Sequence, residues 1–164
     1  TKAGHRDLTQ RFFKFCSDVI KDEGYLLHKY NPDRSVASSW HPWLKDGKEV
    51  LPIQEDETAL VIWSLWHHFK KFRNIEFIRS VADNLIFKAA DFLCNYRDEE
   101  TKLPHPSYDL WEERWGVHLF TVCSVIGGLN AAANFCQAIG ELTKAHRYQA
   151  VADEIQEAMV EHMW

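Results

Sequence analysis

The 164-residue sequence lacks the cysteine and histidine spacings on which metal sites are built. None of its four cysteines forms a C-x-x-C pair, and each falls in a segment with a helical pattern: Cys16, Cys94, Cys123 and Cys136. The nine histidines also lack ligand spacing with suitable partners. We therefore expect no metal, no cofactor and no disulfide framework, with buried free thiols in a reducing, cytoplasmic compartment.

Basic charge is also scarce and dispersed. The formal net charge is -5, and the 19 Lys and Arg residues form no stripe, which argues against nucleic acid as a partner. No apolar run approaches the length of a membrane span, and residues 1–6 do not resemble a signal peptide, so we expect no membrane partner.

The chain does not begin with Met and still has a helical pattern at its last residue, Trp164. At this length the residues can bury a sizeable core, which favours one compact domain. We therefore expect residues 1–164 to form a single, incomplete domain whose remaining parts come from outside this sequence.

Aromatic residues, in contrast, are abundant. They make up 13% of the sequence and include seven tryptophans. Tryptophan packs flat against sugar rings as readily as it fills a protein core, so this excess favours either a large aromatic core or a carbohydrate site.

Five segments carry apolar residues at three- and four-residue spacing, which predicts five helices in an all-α fold. Their predicted bounds are 7–23, 56–73, 75–96, 117–139, and 141 or 143 to 164. Residues 25–30 suit a short strand, and the turn signal Asn31-Pro32-Asp33 after them indicates a small hairpin.

The connections between these helices alternate in length. Long connections at 24–54 and 97–116 alternate with tight turns, which predicts stacked antiparallel helix pairs. In such an array the long loops lie at one end. We therefore expect two polar clusters, 54–57 and 109–114, to meet there, each at the start of an inner helix.

The stretch 106–116 concentrates groups that are costly to bury beside aromatic rings. Its carboxylates, indoles and guanidinium are Asp109, Glu112, Glu113, Trp111, Trp115 and Arg114. Indole faces can cover the apolar side of a sugar while carboxylates and Arg bind its hydroxyls. Clustered carboxylates also raise one another's pKa, and a glycosidic cleavage needs one protonated carboxylic acid.

Structural interpretations compete with this functional one. The spacing of Asp109 and Glu112 fits a capping box at the start of a helix. The acids within 54–57 also fit a helix N-terminus that is stabilised by the helix dipole. Six histidines fit surface or packing positions: His5, His28, His67, His68, His146 and His162. His41 and His118 lie near the expected pocket, where either can form a hydrogen bond to substrate or to a carboxylate.

Four blocks of the sequence follow one another along the chain: Tyr25-Leu26-Leu27-His28-Lys29-Tyr30-Asn31-Pro32-Asp33, Ser38-Ser39-Trp40-His41-Pro42-Trp43, Leu51-Pro52-Ile53-Gln54-Glu55-Asp56-Glu57-Thr58-Ala59-Leu60 and Tyr108-Asp109-Leu110-Trp111-Glu112-Glu113. Together they resemble the prokaryotic branch of glycoside hydrolase family 15, the glucoamylases with glucodextranase and certain trehalases. The last block is similar to the catalytic-acid motif of that family.

This resemblance implies a fold and a set of residue roles. The family fold is an (α/α)6 barrel, so the chain is expected to be a partial (α/α)6 toroid from its central portion. Glu112 is the implied general acid. The residues expected to bind or position substrate are Asp109, Trp111, Glu113, Arg114, Trp40, Trp43, His41, Gln54 and Asp56.

Two departures from the family pattern limit what the chain can do alone. An upstream Trp-Pro-Arg-Asp block and the downstream catalytic base, a Glu, are not among its residues, so we expect it to be inactive by itself. Arg34 also replaces a glycine that relatives often have in the Pro-Asp-Gly turn.

The implied activity is an inverting, exo-acting hydrolysis that releases glucose from α-1,4 and α-1,6 glucans, with an oligosaccharide or glucan as partner. A trehalase of the same family is the first alternative. A helical module that binds carbohydrate without catalysis is the second.

Overall fold

The computed structural model describes residues 1–45 and 47–163, so Trp164 lies outside the described part of the predicted last helix. The fold is all-α. Its helices are α1 (Arg6–Val19), α2 (Glu55–Phe72), α3 (Ile75–Val81), a π-helical turn (Ala82–Phe87), α4 (Lys88–Asn95), α5 (Leu119–Ile139) and α6 (Leu142–Met163). Two antiparallel hairpins, each of two-residue strands, are β1 (Leu44–Lys45) with β2 (Lys48–Glu49), and β3 (Ser107–Tyr108) with β4 (Trp115–Gly116).

The five predicted helical segments are confirmed, with differences inside and at their ends. The predicted helix 75–96 is one helical run whose middle widens into the π-helical turn. There the Asn84 side-chain amide donates hydrogen bonds to the backbone carbonyl and the hydroxyl of Ser17 on α1. A π turn re-aims side chains by adding a residue to one turn, and this one directs Asn84 to a neighbouring helix.

The tight turns end helices in the left-handed backbone region. Arg73 follows α2 with φ 52°, and the Asn74 side chain then accepts a hydrogen bond from the Phe77 N–H to begin α3. Gly140 ends α5 with φ 91°, a conformation that glycine adopts without steric cost.

Helices α2 and α5 form the centre of the core, as their positions after the long loops predicted. Packed between α2 and α6, α5 buries many of its side chains, including Leu129, Ala132 and Phe135. A Cβ at Gly128 would lie 2.9 Å from the carbonyl oxygen of Ala59 on α2. The absence of a side chain at Gly128 therefore sets the close approach of the two inner helices.

The composition of α5 has a second consequence. Among the described helices, α5 is long and apolar enough to cross a membrane by length and composition alone, which was not expected from the sequence. Most of the helix is buried inside the protein. Because a buried core helix has the same composition, this is weak evidence for a membrane span.

The strand predicted at 25–30 does not form. The segment makes one isolated antiparallel bridge, between Tyr30 and Val36, and Arg34 turns the chain with φ 74°. The backbone N–H of Leu26 instead donates to the Thr58 hydroxyl of α2 at 2.9 Å. The segment is held by a helix rather than by a partner strand, a contact that strand periodicity does not reveal.

Replacing Gly128 by Ala should destabilise the protein, because the new methyl group meets the backbone of Ala59, which cannot move independently of α2. We expect a loss of about 1–3 kcal/mol, the range for overpacked cores, measured by thermal unfolding of the full-length protein.

Gly127 provides the matched control on the same helix. Its added Cβ would meet the edge of the Trp63 ring at 3.3 Å, and Ala gains about 1 kcal/mol of helix propensity over Gly. Gly127→Ala should therefore change stability by less than about 1 kcal/mol. Equal losses in the two variants would contradict the close packing at Gly128.

Candidate active site

The loop between β3 and β4 is organised by the side chain of Asp109. Its Oδ1 accepts hydrogen bonds from the backbone N–H groups of Trp111 (3.2 Å), Glu113 (2.9 Å) and Arg114 (3.4 Å). These donors, Glu113 foremost, hold the pKa of Asp109 below its usual range. The capping-box alternative is excluded, because this loop closes a hairpin and α5 begins only at Leu119.

Glu112 occupies the tip of this loop in an uncommon backbone conformation. Its φ is 53°, in the left-handed region, and its N–H donates to the Asp109 carbonyl at 2.9 Å. A non-glycine residue there costs on the order of 1–2 kcal/mol, which the surrounding structure must offset. The residue is also buried, with 5% of its surface exposed.

Three side chains from the first long connection surround the Glu112 carboxyl group. The indole N–H of Trp43 donates to Oε2 at 2.9 Å, and His28 Nε2 lies 3.5 Å from Oε1. His41 Nε2 lies 2.7 Å from the backbone carbonyl oxygen of Glu112 and 3.9 Å from Oε2. Bonds to the carbonyls of Pro42 and then Glu112 raise the pKa of His41.

The tryptophans predicted to contact sugar differ in exposure. Trp43 is buried and packs its ring edge-on against Tyr108 and Trp115, so it faces Glu112 through its N–H rather than presenting a free ring. Trp111 is 81% exposed and Trp40 is 78% exposed, with the Lys29 ammonium 4.8 Å from the centre of the Trp40 ring. Large exposed indoles of this kind suit a polar, ring-shaped ligand.

Gln54 and Asp56 connect the start of α2 to the other elements of the site. The Gln54 amide donates to the carbonyls of Tyr108 (3.3 Å) and Asp109 (2.9 Å), and Asp56 Oδ1 accepts from the Thr121 hydroxyl on α5 at 3.0 Å. The predicted convergence of the two polar clusters is thus confirmed, but only residues 54–57 lie at the start of an inner helix, because 109–114 lie in the β3–β4 loop and α5 begins at Leu119. Gln54 does not cap α2 with its side chain, and neither does Asp56, since α2 begins at Glu55.

The two glutamates at the start of α2 are unusual. Burial raises the pKa of Glu55 to about 7, while burial and then the charges of Asp56 and Glu112 raise the pKa of Glu57 to about 8. Both oxygens of Glu55 and the Oε2 atom of Glu57 lack a hydrogen-bond partner within the described ranges. Glu57 is therefore mostly protonated at neutral pH, while Glu55 changes its protonation state across that range.

Two open clefts include Trp43 in their lining. One, of about 510 Å³, is lined by residues 38–43 with Glu49 and Val50. The other, of about 480 Å³, has aromatic walls that include Tyr96, His105 and Trp115. Both are large enough for sugar rings. Across residues 1–45 and 47–163, no cluster of His, Cys, Asp or Glu has the arrangement of a metal site.

The position of His28 beside Glu112 is not predicted from the sequence. The sequence predicts a surface or packing position for His28, and in the structure its side chain packs against the Glu112 carboxyl group. The contact joins residues 84 positions apart, and the available signal was only that His28 belongs to one of the four quoted blocks. Glu113 and Arg114 are exposed on the loop beside Trp111, as a substrate-facing position requires.

The family model described as "Glycosyl hydrolases family 15" matches residues 43–164. The chain is 27% identical over 141 residues to "Uncharacterized glycosyl hydrolase MJ1610" of Methanocaldococcus jannaschii, covering 86% of this chain and 20% of that protein. It is also 27% identical over 128 residues to "Glucoamylase 1" of Rhizopus oryzae, covering 77% of this chain and 19% of that protein. The chain thus spans about a fifth of the length of these curated relatives.

Asp109→Ala should loosen the hairpin loop, because three backbone N–H groups lose their common acceptor. We expect amide hydrogen exchange at Trp111, Glu113 and Arg114 to accelerate about tenfold, the scale of one lost hydrogen bond. Asp109→Asn keeps an acceptor oxygen and should retain most of the protection. Unchanged exchange in Asp109→Ala would show that the loop is held by other contacts.

Glu55→Gln should stabilise the protein at high pH only. The pKa of Glu55 is raised from 4.5 to about 7 on folding, so ionisation opposes folding. The penalty is absent below about pH 4, grows from about pH 4.5 to 7 and is constant above that. Thermal unfolding should show no gain for the variant at pH 4 and a gain on the order of 2–3 kcal/mol at pH 8. The exposed Glu99→Gln is the control, and a gain that is independent of pH would contradict this account.

Proposed function

Because the chain belongs to glycosyl hydrolases family 15, we propose that it forms part of the active site of an inverting, exo-acting enzyme that releases glucose from α-1,4 and α-1,6 glucans. The observation that carries the proposal is the setting of Glu112. This carboxyl group lies at the tip of a strained loop, where both long connections converge, with an indole N–H on one oxygen and an imidazole beside the other.

Glu112 is the proposed general acid, which donates its proton to the oxygen of the leaving sugar. Such an acid must be held in a fixed orientation beside the scissile bond. The Trp43 hydrogen bond and the contact of His41 with the Glu112 carbonyl supply that orientation. The cost of the positive φ is consistent with a residue that is held for chemistry rather than for stability.

The proposed sugar contacts fall into two groups. Trp40 and Trp111 offer exposed rings, while Glu113 and Arg114 offer charged groups at the loop surface. Asp109, Gln54 and Asp56 use their side chains to hold the loop and α2. Their part in binding is therefore to keep the substrate-facing groups in place.

An inverting mechanism also needs a base, placed about 6.5–9.5 Å from the acid so that a water fits between them. Glu57 is a poor candidate, because its raised pKa keeps it protonated near neutral pH. We propose that the base is supplied by a part of the protein outside these 164 residues, as the family resemblance implies.

A non-catalytic carbohydrate-binding module is the second candidate. The observation in its favour is that the Glu112 side chain is only 3% exposed, so a substrate reaches it only if neighbouring loops shift. In that case the exposed tryptophans would bind sugar while Glu112 only held the loop in shape.

Glu112→Gln separates these candidates in the full-length protein encoded by the gene. If Glu112 is the acid, kcat for release of glucose from maltooligosaccharides should fall by about 10²–10⁴-fold, because glutamine cannot donate the proton. Sugar binding, measured by quenching of tryptophan fluorescence, should persist. Trehalose, assayed separately, tests the trehalase alternative within the same family.

The exposed Glu161→Gln on α6 is the matched control and should keep full turnover. Near-normal turnover of Glu112→Gln would remove Glu112 from the role of acid. Sugar binding without glucose release from any substrate by the unmodified protein would instead favour the module.

A further inference from the structure

His28 is a nearly buried histidine without a hydrogen-bond partner among residues 1–45 and 47–163. Its side chain is 9% exposed, and both Nδ1 and Nε2 lack partners. Buried polar groups are normally paired, so an exception requires a reason. The acidic group beside it is Glu112, whose Oε1 lies 3.5 Å from Nε2.

The two carboxyl oxygens of Glu112 differ in whether the neighbouring side chain can exchange a proton with them. Oε2 accepts the indole N–H of Trp43, which only donates and keeps its proton in water. Oε1 faces the imidazole of His28, whose ring nitrogens can donate or accept a proton. Proton exchange with a neighbouring side chain is therefore available at Oε1.

The titratable groups that face this pair come from several elements, and they are His41, Glu57, Tyr30 and Cys16. The last three line, with His28, a cavity of about 200 Å³. Burial and nearby charge raise the pKa of Glu57 to about 8, and burial raises the pKa of Cys16 to about 12. Both are therefore neutral near pH 7, so neither places a fixed negative charge beside His28.

We propose that His28 is a positioning residue that returns a proton to Glu112 after each cleavage, a role that rests on the proposed function of Glu112 as the acid. Each cycle leaves the acid ionised, and its side chain is 3% exposed, so bulk water does not reach it readily. In the return step, the Nε2–H bond of the imidazolium breaks and an O–H bond forms at Oε1. The neutral imidazole then takes a proton from solvent through the cavity, which balances the proton that the base releases.

Two substitutions at His28 in the full-length protein test this step. His28→Gln fills similar space but cannot exchange protons near neutral pH, and His28→Ala opens room for added imidazole. Proton return follows bond cleavage, so we expect kcat to fall about tenfold or more in both variants, while kcat/KM stays within about threefold. Added imidazole should restore kcat in His28→Ala and not in His28→Gln.

The exposed His146→Gln on α6 is the control and should leave all parameters unchanged. An equal fall of kcat and kcat/KM would indicate a merely structural role for His28 and overturn the proposal. Unchanged kcat, or no rescue of His28→Ala by imidazole, would overturn it as well. Loss of activity in Glu112→Gln together with any of these results would leave the proposed function intact.

A readout that does not depend on activity covers the case in which both variants fail to fold. The ¹⁵N resonance of the His28 imidazole, observed at neutral pH, should move when Glu112 is replaced by Gln, because the adjacent carboxyl group is removed. The His146 resonance should stay in place. An unmoved His28 resonance would show that the two groups do not share protons.

Discussion

The hydrogen bond from the Trp43 indole to Glu112 is the interaction on which the loop end of this protein depends. It joins two connections whose residues are 69 positions apart and does so in a buried setting, at 2.9 Å. Because both side chains are buried, water does not compete for this bond. The bond holds the Glu112 carboxyl group in place at the strained tip of the β3–β4 loop.

Several groups near that bond lower the stability of the fold while they form the candidate site. Helix α2 begins with three consecutive acids, and burial opposes their ionisation. The same helix packs closely on α5 through Gly128 and Ala59, so the core below the site is rigid. A well-packed pair of inner helices can offset the cost of unpaired carboxyl groups and a left-handed glutamate at their ends.

Most of the fold could be predicted from the sequence, because apolar residues at helical spacing must be buried whatever their partners are. The convergence of residues 54–57 and 109–114 followed from the alternation of loop lengths alone. The features that could not be predicted depend on a single contact between residues that are far apart in the sequence. Asp109 and Glu112 have capping-box spacing in a helix or in a hairpin loop, and only the pairing of β3 with β4 distinguishes the two. Likewise, the position of His28 against Glu112 depends on tertiary packing that no local pattern encodes.

The placement of Trp43 has a mechanical consequence. The Trp43 side chain lines both the cleft formed by residues 38–43 and the aromatic cleft with Tyr96 and Trp115. The same indole donates its N–H to Glu112. A single buried side chain therefore links the walls of both clefts to the position of the Glu112 carboxyl group.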